Sequence, residues 1–285
     1  VSTPRHLRPD PLVRPTRVRA ASGELAALVA TPPPEAEPRP GVLLVPGYTG
    51  SKEDFWHLLP LLARAGRPAT AVDLRGQHES GGPDDPSAYG IETLAADIRS
   101  LLGDSPAPLH LLGHSFGGLV CRSAVLSGAP ARSLTLLGSG PGALGGHRAA
   151  LTEAMRPLLL EDDVPALWEA TVALAAASPD KAAAPPEVKA FLERRFLASP
   201  ATALLVMGED LTTAKDDTDA LAATGTPVLV ACGENDDAWS PSEQREMAER
   251  LGAPYVVFSG AGHSPNVDAP EAVAESLASF WSPLD

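Results

Sequence analysis

Six short runs of the chain are apolar or broken by a single Thr or His: Val42–Val45, Ala69–Val72, Leu109–Leu112, Leu134–Leu137, Pro227–Cys232 and Tyr255–Phe258. Runs of four to six such residues predict strands buried on both faces. Between them lie stretches with helical spacing, over Glu53–Ala65, Ile91–Leu102 and Gly118–Leu126. In the second, apolar residues fall at 91, 94, 95, 98, 101 and 102, one face of an amphipathic helix. Strands alternating with helices predict a mostly parallel sheet covered on both faces. Ahead of this pattern, Thr16–Ala20 and Glu24–Ala30, split by Ser22-Gly23, predict an antiparallel hairpin, and residues 1–15 form a Pro- and Arg-rich irregular arm. The alternation stops at Ser139. Up to Ala223 the pattern is helical only, near 147–160, 163–177, 186–198 and 200–207, with Ala- and Pro-rich joints. No internal repeat is visible.

The chemistry is concentrated at the ends of the apolar runs. Gly113-His114-Ser115-Phe116-Gly117 joins a strand to a helix, the arrangement of a nucleophile elbow. Small residues are needed there because bulky side chains at 113 and 117 would strike the adjoining strand and helix. The helix that follows aims its free N–H groups and positive dipole end at the serine. Pro227–Cys232 runs into Gly233-Glu234-Asn235-Asp236, which puts Asp236 on the loop beyond a strand. Tyr255–Phe258 runs into Ser259-Gly260-Ala261-Gly262-His263, a Gly-rich loop ahead of a helix beginning near Pro270. Loops at the carboxyl edge of a parallel sheet converge on one crevice, so Ser115, Asp236 and His263 form a candidate nucleophile, acid and base in that chain order.

Asp237 and Glu234 compete with Asp236 for the acid's place, and the offset from Gly233 favours Asp236; a solvated loop position or a helix cap before Ser240-Pro241 suits Asp237. No carboxylate follows the preceding strand, which ends in Gly138-Ser139-Gly140. His114 is expected to pack beneath the elbow, not to act as a base. Asp73 and Arg75 are expected to stabilise a turn by pairing. Tyr48, Trp168 and Trp239 are the candidate lining of a substrate pocket, against the commoner fate of large aromatics in a core.

With these residues in place, the chain resembles the α/β-hydrolase-fold superfamily, in particular serine carboxylesterase-like members with a helical cap. The resemblance covers nearly all of the chain after residue 15. Beyond the three loops it includes Leu43-Leu44-Val45-Pro46-Gly47-Tyr48, similar to the family's oxyanion loop, Asp73-Leu74-Arg75-Gly76, similar to its D-x-R-G turn, and Gly262-His263-Ser264-Pro265 with Pro270-Glu271. Two departures stand out: Pro46 where the family often has His, and Gln77-His78-Glu79-Ser80 where it often continues Gly-x-Ser. Both bear on the shape of the acyl pocket. The resemblance implies a core of residues 16–138 and 224–285, with 139–223 inserted as a helical cap that shapes the substrate pocket. It also implies an oxyanion hole from the backbone N–H groups of Tyr48 and Phe116.

The resemblance implies cleavage of a carboxylic ester or lactone with a small or medium, largely apolar acyl group. Thioesterase or cyclase activity on a carrier-bound acyl chain and a Pro-type aminopeptidase are the enzymatic alternatives. For the last, Glu161, Asp162 and Asp163 are candidates to hold a substrate amine. A lyase reusing the triad, or a ligand-binding pseudoenzyme, would keep the same fold. Serine at the elbow argues against haloalkane dehalogenases and the epoxide hydrolases of this fold, which use a carboxylate there.

Charge and composition narrow the partners. A formal net charge of −14 opposes nucleic acid and anionic membrane surfaces. The two cysteines, Cys121 in the elbow helix and Cys232 ending a strand, fit no metal-ligand spacing and are expected to be buried free thiols. No metal, no organic cofactor, no dinucleotide fingerprint and no phosphate loop is expected. No apolar run is long enough to span a membrane and no signal-peptide core is seen, so a cytoplasmic enzyme acting on a small molecule is the expectation.

Overall fold

The computed structural model describes residues 2–176 and 184–285. The last residue of the helical pattern predicted over 163–177 therefore lies outside the described residues. Eight strands form one sheet: β1 (Val13–Ala20), β2 (Gly23–Ala30), β3 (Val42–Val45), β4 (Ala69–Val72), β5 (His110–His114), β6 (Ser133–Leu137), β7 (Val228–Gly233) and β8 (Tyr255–Phe258). Their order across the sheet is β1-β2-β4-β3-β5-β6-β7-β8. β1 pairs antiparallel with β2 and β2 antiparallel with β4; every other pairing is parallel. From β3 the chain moves one way along the sheet to β4, then back past β3 to β5. The crevice beyond the carboxyl ends of β3 and β5 is therefore a topological switch point, where ligands bind in open α/β sheets.

Eleven helices accompany the strands among the described residues. In the first half these are α1 (Leu58–Arg64), α2 (Ile91–Gly103) and α3 (Phe116–Leu126). Between β6 and β7 come α4 (Gly146–Leu160), α5 (Val164–Ala176), α6 (Pro186–Leu197), α7 (Ala201–Thr213) and α8 (Thr218–Ala223). The last three are α9 (Pro241–Leu251), α10 (Pro265–Asp268) and α11 (Pro270–Trp281). The strand period of two splits the apolar runs cleanly. Leu43, Val45, Leu111, Leu134, Leu136, Val228 and Val230 join the core under α2, α3 and α9. Val42, Leu44, Leu112, Leu137, Leu229 and Ala231 join the opposite core under α1 and α11. A third apolar cluster, of Leu159, Val164, Leu167, Phe196, Ala201 and Leu204, belongs to the helices inserted after β6, with Tyr48 at its border.

Four details differ from the sequence expectations. The arm is shorter, since β1 begins at Val13; Pro15 is tolerated because β1 is an edge strand. The helix expected over Glu53–Ala65 is broken into a 3-10 turn, Lys52–Phe55, and α1. The Asp54 carbonyl is taken by Asn266 Nδ2 at 2.8 Å, and Pro60 has no N–H to give the Trp56 carbonyl. Asp73 and Arg75 pair, but not with each other: Asp73 holds Lys52 Nζ at 2.9 Å and Arg75 holds Asp97 at 2.8 Å. The cap of α9 is Ser240, through a capping box with Glu243, and not Asp237.

Candidate active site

Three strand ends build the site. β5 delivers Ser115 at φ 55°, ψ −124°, a left-handed conformation that a non-glycine residue holds only when its surroundings impose it. They do so by packing. A Cβ on Gly113 would lie 2.4 Å from the Gly117 carbonyl oxygen, and one on Gly117 would lie 2.4 Å from that of Pro46. The elbow is thus pressed between its own helix and the end of β3, the close approach anticipated from the small residues at 113 and 117. The Ser115 amide donates to the Leu137 carbonyl at 2.9 Å, which ties the turn to β6.

Ser115 Oγ lies 2.9 Å from His263 Nε2, and His263 Nδ1 lies 2.8 Å from Asp236 Oδ1. Ser115 is 7% exposed and the Asp236 side chain is fully buried. Burial by itself pushes the Asp236 carboxyl up. The hydrogen bond and charge of His263, the Ala238 N–H at 3.0 Å and the Gln244 amide at 3.0 Å outweigh it, and hold the group below the ordinary range. The carboxylate is therefore ionised beside the imidazole, and both of its oxygens are hydrogen-bonded.

The rival acids have other partners. Asp237 is exposed and forms a bidentate pair with Arg148 of α4, at 2.6 and 3.0 Å. Glu234 accepts from Ser259 Oγ and the Gly260 N–H, closing the turn after β8. His114 is buried, as expected beneath the elbow; its Nε2–H donates to the His263 carbonyl at 2.8 Å. Burial lowers its pKa to about 3, so it is neutral.

Around this chain of three, Tyr48 follows β3 with its hydroxyl donating to the Leu204 carbonyl at 2.5 Å and its ring edge-on to Phe116 at 6.5 Å. Trp239 is buried, with its ring 6.3 Å from that of His263 and its indole N–H on the Gly142 carbonyl. Trp168 stands apart: it packs on Phe196 and lines a groove with Pro165, Val172 and Leu197. Glu161, Asp162 and Asp163 are exposed at the turn between α4 and α5, where Asp163 caps the start of α5 through the Ala166 N–H.

Among the described residues, one group has metal-ligand proximity: Glu53, His78 and Glu79, with donor atoms within 4.8 Å of one another. Lys52 Nζ already sits on Glu53 at 2.9 Å and Glu79 at 2.8 Å, so the chain supplies its own cation there. No helix among the described residues is long and apolar enough to cross a membrane.

Two glutamines were not anticipated. Gln244 on α9 holds Asp236 Oδ2 and the Trp239 carbonyl, and Gln77 holds the carbonyls of Gly47 and Tyr48. Gln244 shares the buried face of α9 with Met247 and Ala248, and an amide on an otherwise apolar face is the signal that could have exposed it. Gln77 is visible only as a departure from the family pattern.

Comparison with known proteins gives the same picture at the level of the fold. An epoxide hydrolase A of Mycobacterium tuberculosis is 36% identical over 88 residues, 30% of this chain and 27% of that relative, so the match spans about a quarter of the relative's length. A thermophilic esterase from Thermogutta terrifontis superimposes with a TM-score of 0.72 at 21% identity, covering 95% of this chain and 99% of that one. An enol-lactonase from Burkholderia xenovorans gives 0.75 at 20% identity, covering 94% and 100%. The model of the alpha/beta hydrolase family matches residues 42–276, from the first inner strand into the last helix, and the chain accordingly belongs to that family.

Proposed function

We propose that the protein is a serine hydrolase that cleaves a carboxylic ester, lactones included, through an acyl-enzyme on Ser115. The observation that carries this reading is the continuous hydrogen-bonded chain Ser115–His263–Asp236, with the acid ionised and buried. In this mechanism His263 Nε2 takes the Ser115 proton as Oγ attacks the acyl carbon. Asp236 holds Nδ1–H, fixing the tautomer and stabilising the imidazolium. The tetrahedral oxyanion is received by the N–H groups of Phe116, at the free end of α3, and Tyr48. His263 then returns its proton to the leaving alcohol, and a water activated by the same nitrogen releases the acid.

The helices between residues 139 and 223 act as the cap, with Tyr48 touching both the elbow and α7 and Trp239 beside the base. Trp168 belongs to the cap's own apolar cluster and is not part of the acyl pocket in this reading. The epoxide hydrolase likeness is local to a third of the chain, and Ser115 stands where that chemistry calls for a carboxylate. The aminopeptidase reading loses its candidate amine holders, since Asp163 serves as a helix cap and the three acids face solvent.

The test is kcat/KM over 4-nitrophenyl esters from acetyl to dodecanoyl, with an aminoacyl anilide alongside and Ser115→Ala as blank. Turnover of esters that vanishes in the blank supports the reading, and the optimum chain length sizes the pocket. Preference for the anilide, or turnover that survives in Ser115→Ala, overturns it.

A further inference from the structure

We propose that Gln77 is the positioning residue of the oxyanion hole: it locks the peptide that carries the Tyr48 N–H by holding the carbonyls on both sides of it. The proposal rests on the reading of Ser115 as nucleophile and adds to it the residue that aims the second oxyanion donor.

Gln77 lies on the loop after β4, 1% exposed. Its amide is fully used. Nε2 donates to the Gly47 carbonyl at 2.7 Å and to the Tyr48 carbonyl at 3.1 Å, and Oε1 accepts the Leu74 N–H at 3.0 Å. Its own backbone N–H returns to the Leu74 carbonyl at 2.9 Å, so the side chain projects from a closed turn. In a trans peptide the C=O of residue 47 and the N–H of residue 48 point in opposite directions. Fixing the first therefore fixes the second. The Gly47 carbonyl also accepts from the Gly50 N–H at 3.0 Å, so this peptide cannot flip without breaking two hydrogen bonds at its oxygen. The Tyr48 carbonyl, held by the same nitrogen, fixes the peptide on the other side.

The loop so held lies against the nucleophile. A Cβ on Gly47 would sit 3.1 Å from Ser115 Cβ and 3.3 Å from His114 Nδ1. The residue type matches the task. One amide nitrogen offers two N–H donors to two carbonyls, whereas a carboxylate would set acceptor against acceptor and a thioether would leave both carbonyls without the bond. Preorganised donors stabilise a transition state because they need no reorganisation as charge develops, so a donor free to turn loses most of its effect. The sequence Gln77-His78-Glu79-Ser80 departs from the family pattern at this place, which gives the departure a physical role.

The experiment compares wild type with Gln77→Met and Gln77→Glu, measuring kcat and KM on the best 4-nitrophenyl ester, Ki of a trifluoromethyl ketone matched to its acyl chain, and the rate of Ser115 labelling by a fluorophosphonate. The expected result is a fall in kcat of about 10- to 100-fold, below or up to the effect of deleting one oxyanion donor. KM should stay within about two-fold, while ketone affinity and labelling rate fall in step with kcat and labelling still reaches one group per chain. Circular dichroism and urea midpoints report folding. A folded variant whose kcat, Ki and labelling rate all remain within two-fold of a reactive wild type overturns the proposal alone. So does unfolding of both variants, which would make Gln77 structural. A wild-type chain that neither turns over esters nor takes the phosphonate removes the hydrolase reading itself, and this proposal with it.

Discussion

His114 donates its Nε2–H to the backbone carbonyl of His263 across 2.8 Å, so the residue before the candidate nucleophile holds the loop of the candidate base. The two strand ends are thereby fixed relative to each other by a side chain that takes no proton itself. Burial keeps His114 neutral although the bond itself favours the charged ring, and its other nitrogen is buried beside Gly47.

This neutrality makes stability depend on pH. Burial lowers His114 to about 3 and His110 to about 4, against an ordinary 6.5. A depressed histidine pKa gives stability that is complete above the unfolded value and lost as the pH falls towards the folded one. Urea unfolding should therefore show a loss of about 2 kcal/mol per histidine between pH 7.5 and pH 5. His110→Gln should flatten that slope. A profile identical to wild type would mean that His110 is not held neutral.

Asp236→Asn should cut ester kcat by up to about 10⁴-fold, because the amide favours the wrong imidazole tautomer. Asp237→Asn breaks an exposed pair with Arg148, and such pairs contribute about 0–1 kcal/mol. Turnover by that variant should stay close to wild type. Equal losses, or the reverse order, would reassign the acid.

Gly117→Ala places a methyl group against the carbonyls of Val45 and Pro46, both backbone. Overpacking of this kind costs about 1–3 kcal/mol, and the strain falls on the loop that carries Tyr48. Both the urea midpoint and kcat should drop. An unchanged midpoint would show that β3 and the elbow do not approach so closely.

Arg195 of α6 is 1% exposed and pairs with the buried Asp54 at 2.6 Å, joining the inserted helices to the turn after the Gly47-Tyr48 loop. Arg195→Met leaves the Asp54 charge buried alone, at a cost of about 3–5 kcal/mol. Adding Asp54→Asn should recover part of it. A double variant no more stable than the single one would mean that the lost packing of Arg195, not its charge, sets the cost.

Much of the fold was legible because parallel strands buried on both faces write themselves as nearly unbroken apolar runs, and each predicted inner strand is present within one or two residues. The residues Ser115, Asp236 and His263 were legible for a related reason: each follows such a run, and the carboxyl ends of parallel strands meet. Helix ends were less so. The break at 56–57 depends on Asn266, more than 200 residues away, capturing the Asp54 carbonyl. The partners of Asp73 and Arg75 are nearer, 21 and 22 residues away, yet they lie on other elements that the local pattern does not connect to them.

What the sequence alone determined is the local grammar: period and turn residues act through neighbours a few positions apart. Only the tertiary structure turned Asp236, which its offset from Gly233 had merely favoured over Glu234 and Asp237, towards His263, and it separated Trp168 from Trp239. It also brought Gln77 beneath a loop 30 residues back in the chain and turned Gln244 onto Asp236, eight residues before it. These are choices between chemically similar side chains, and what settles them is direction. Direction is set by backbone geometry and by buried hydrogen-bond partners that every part of the chain supplies together.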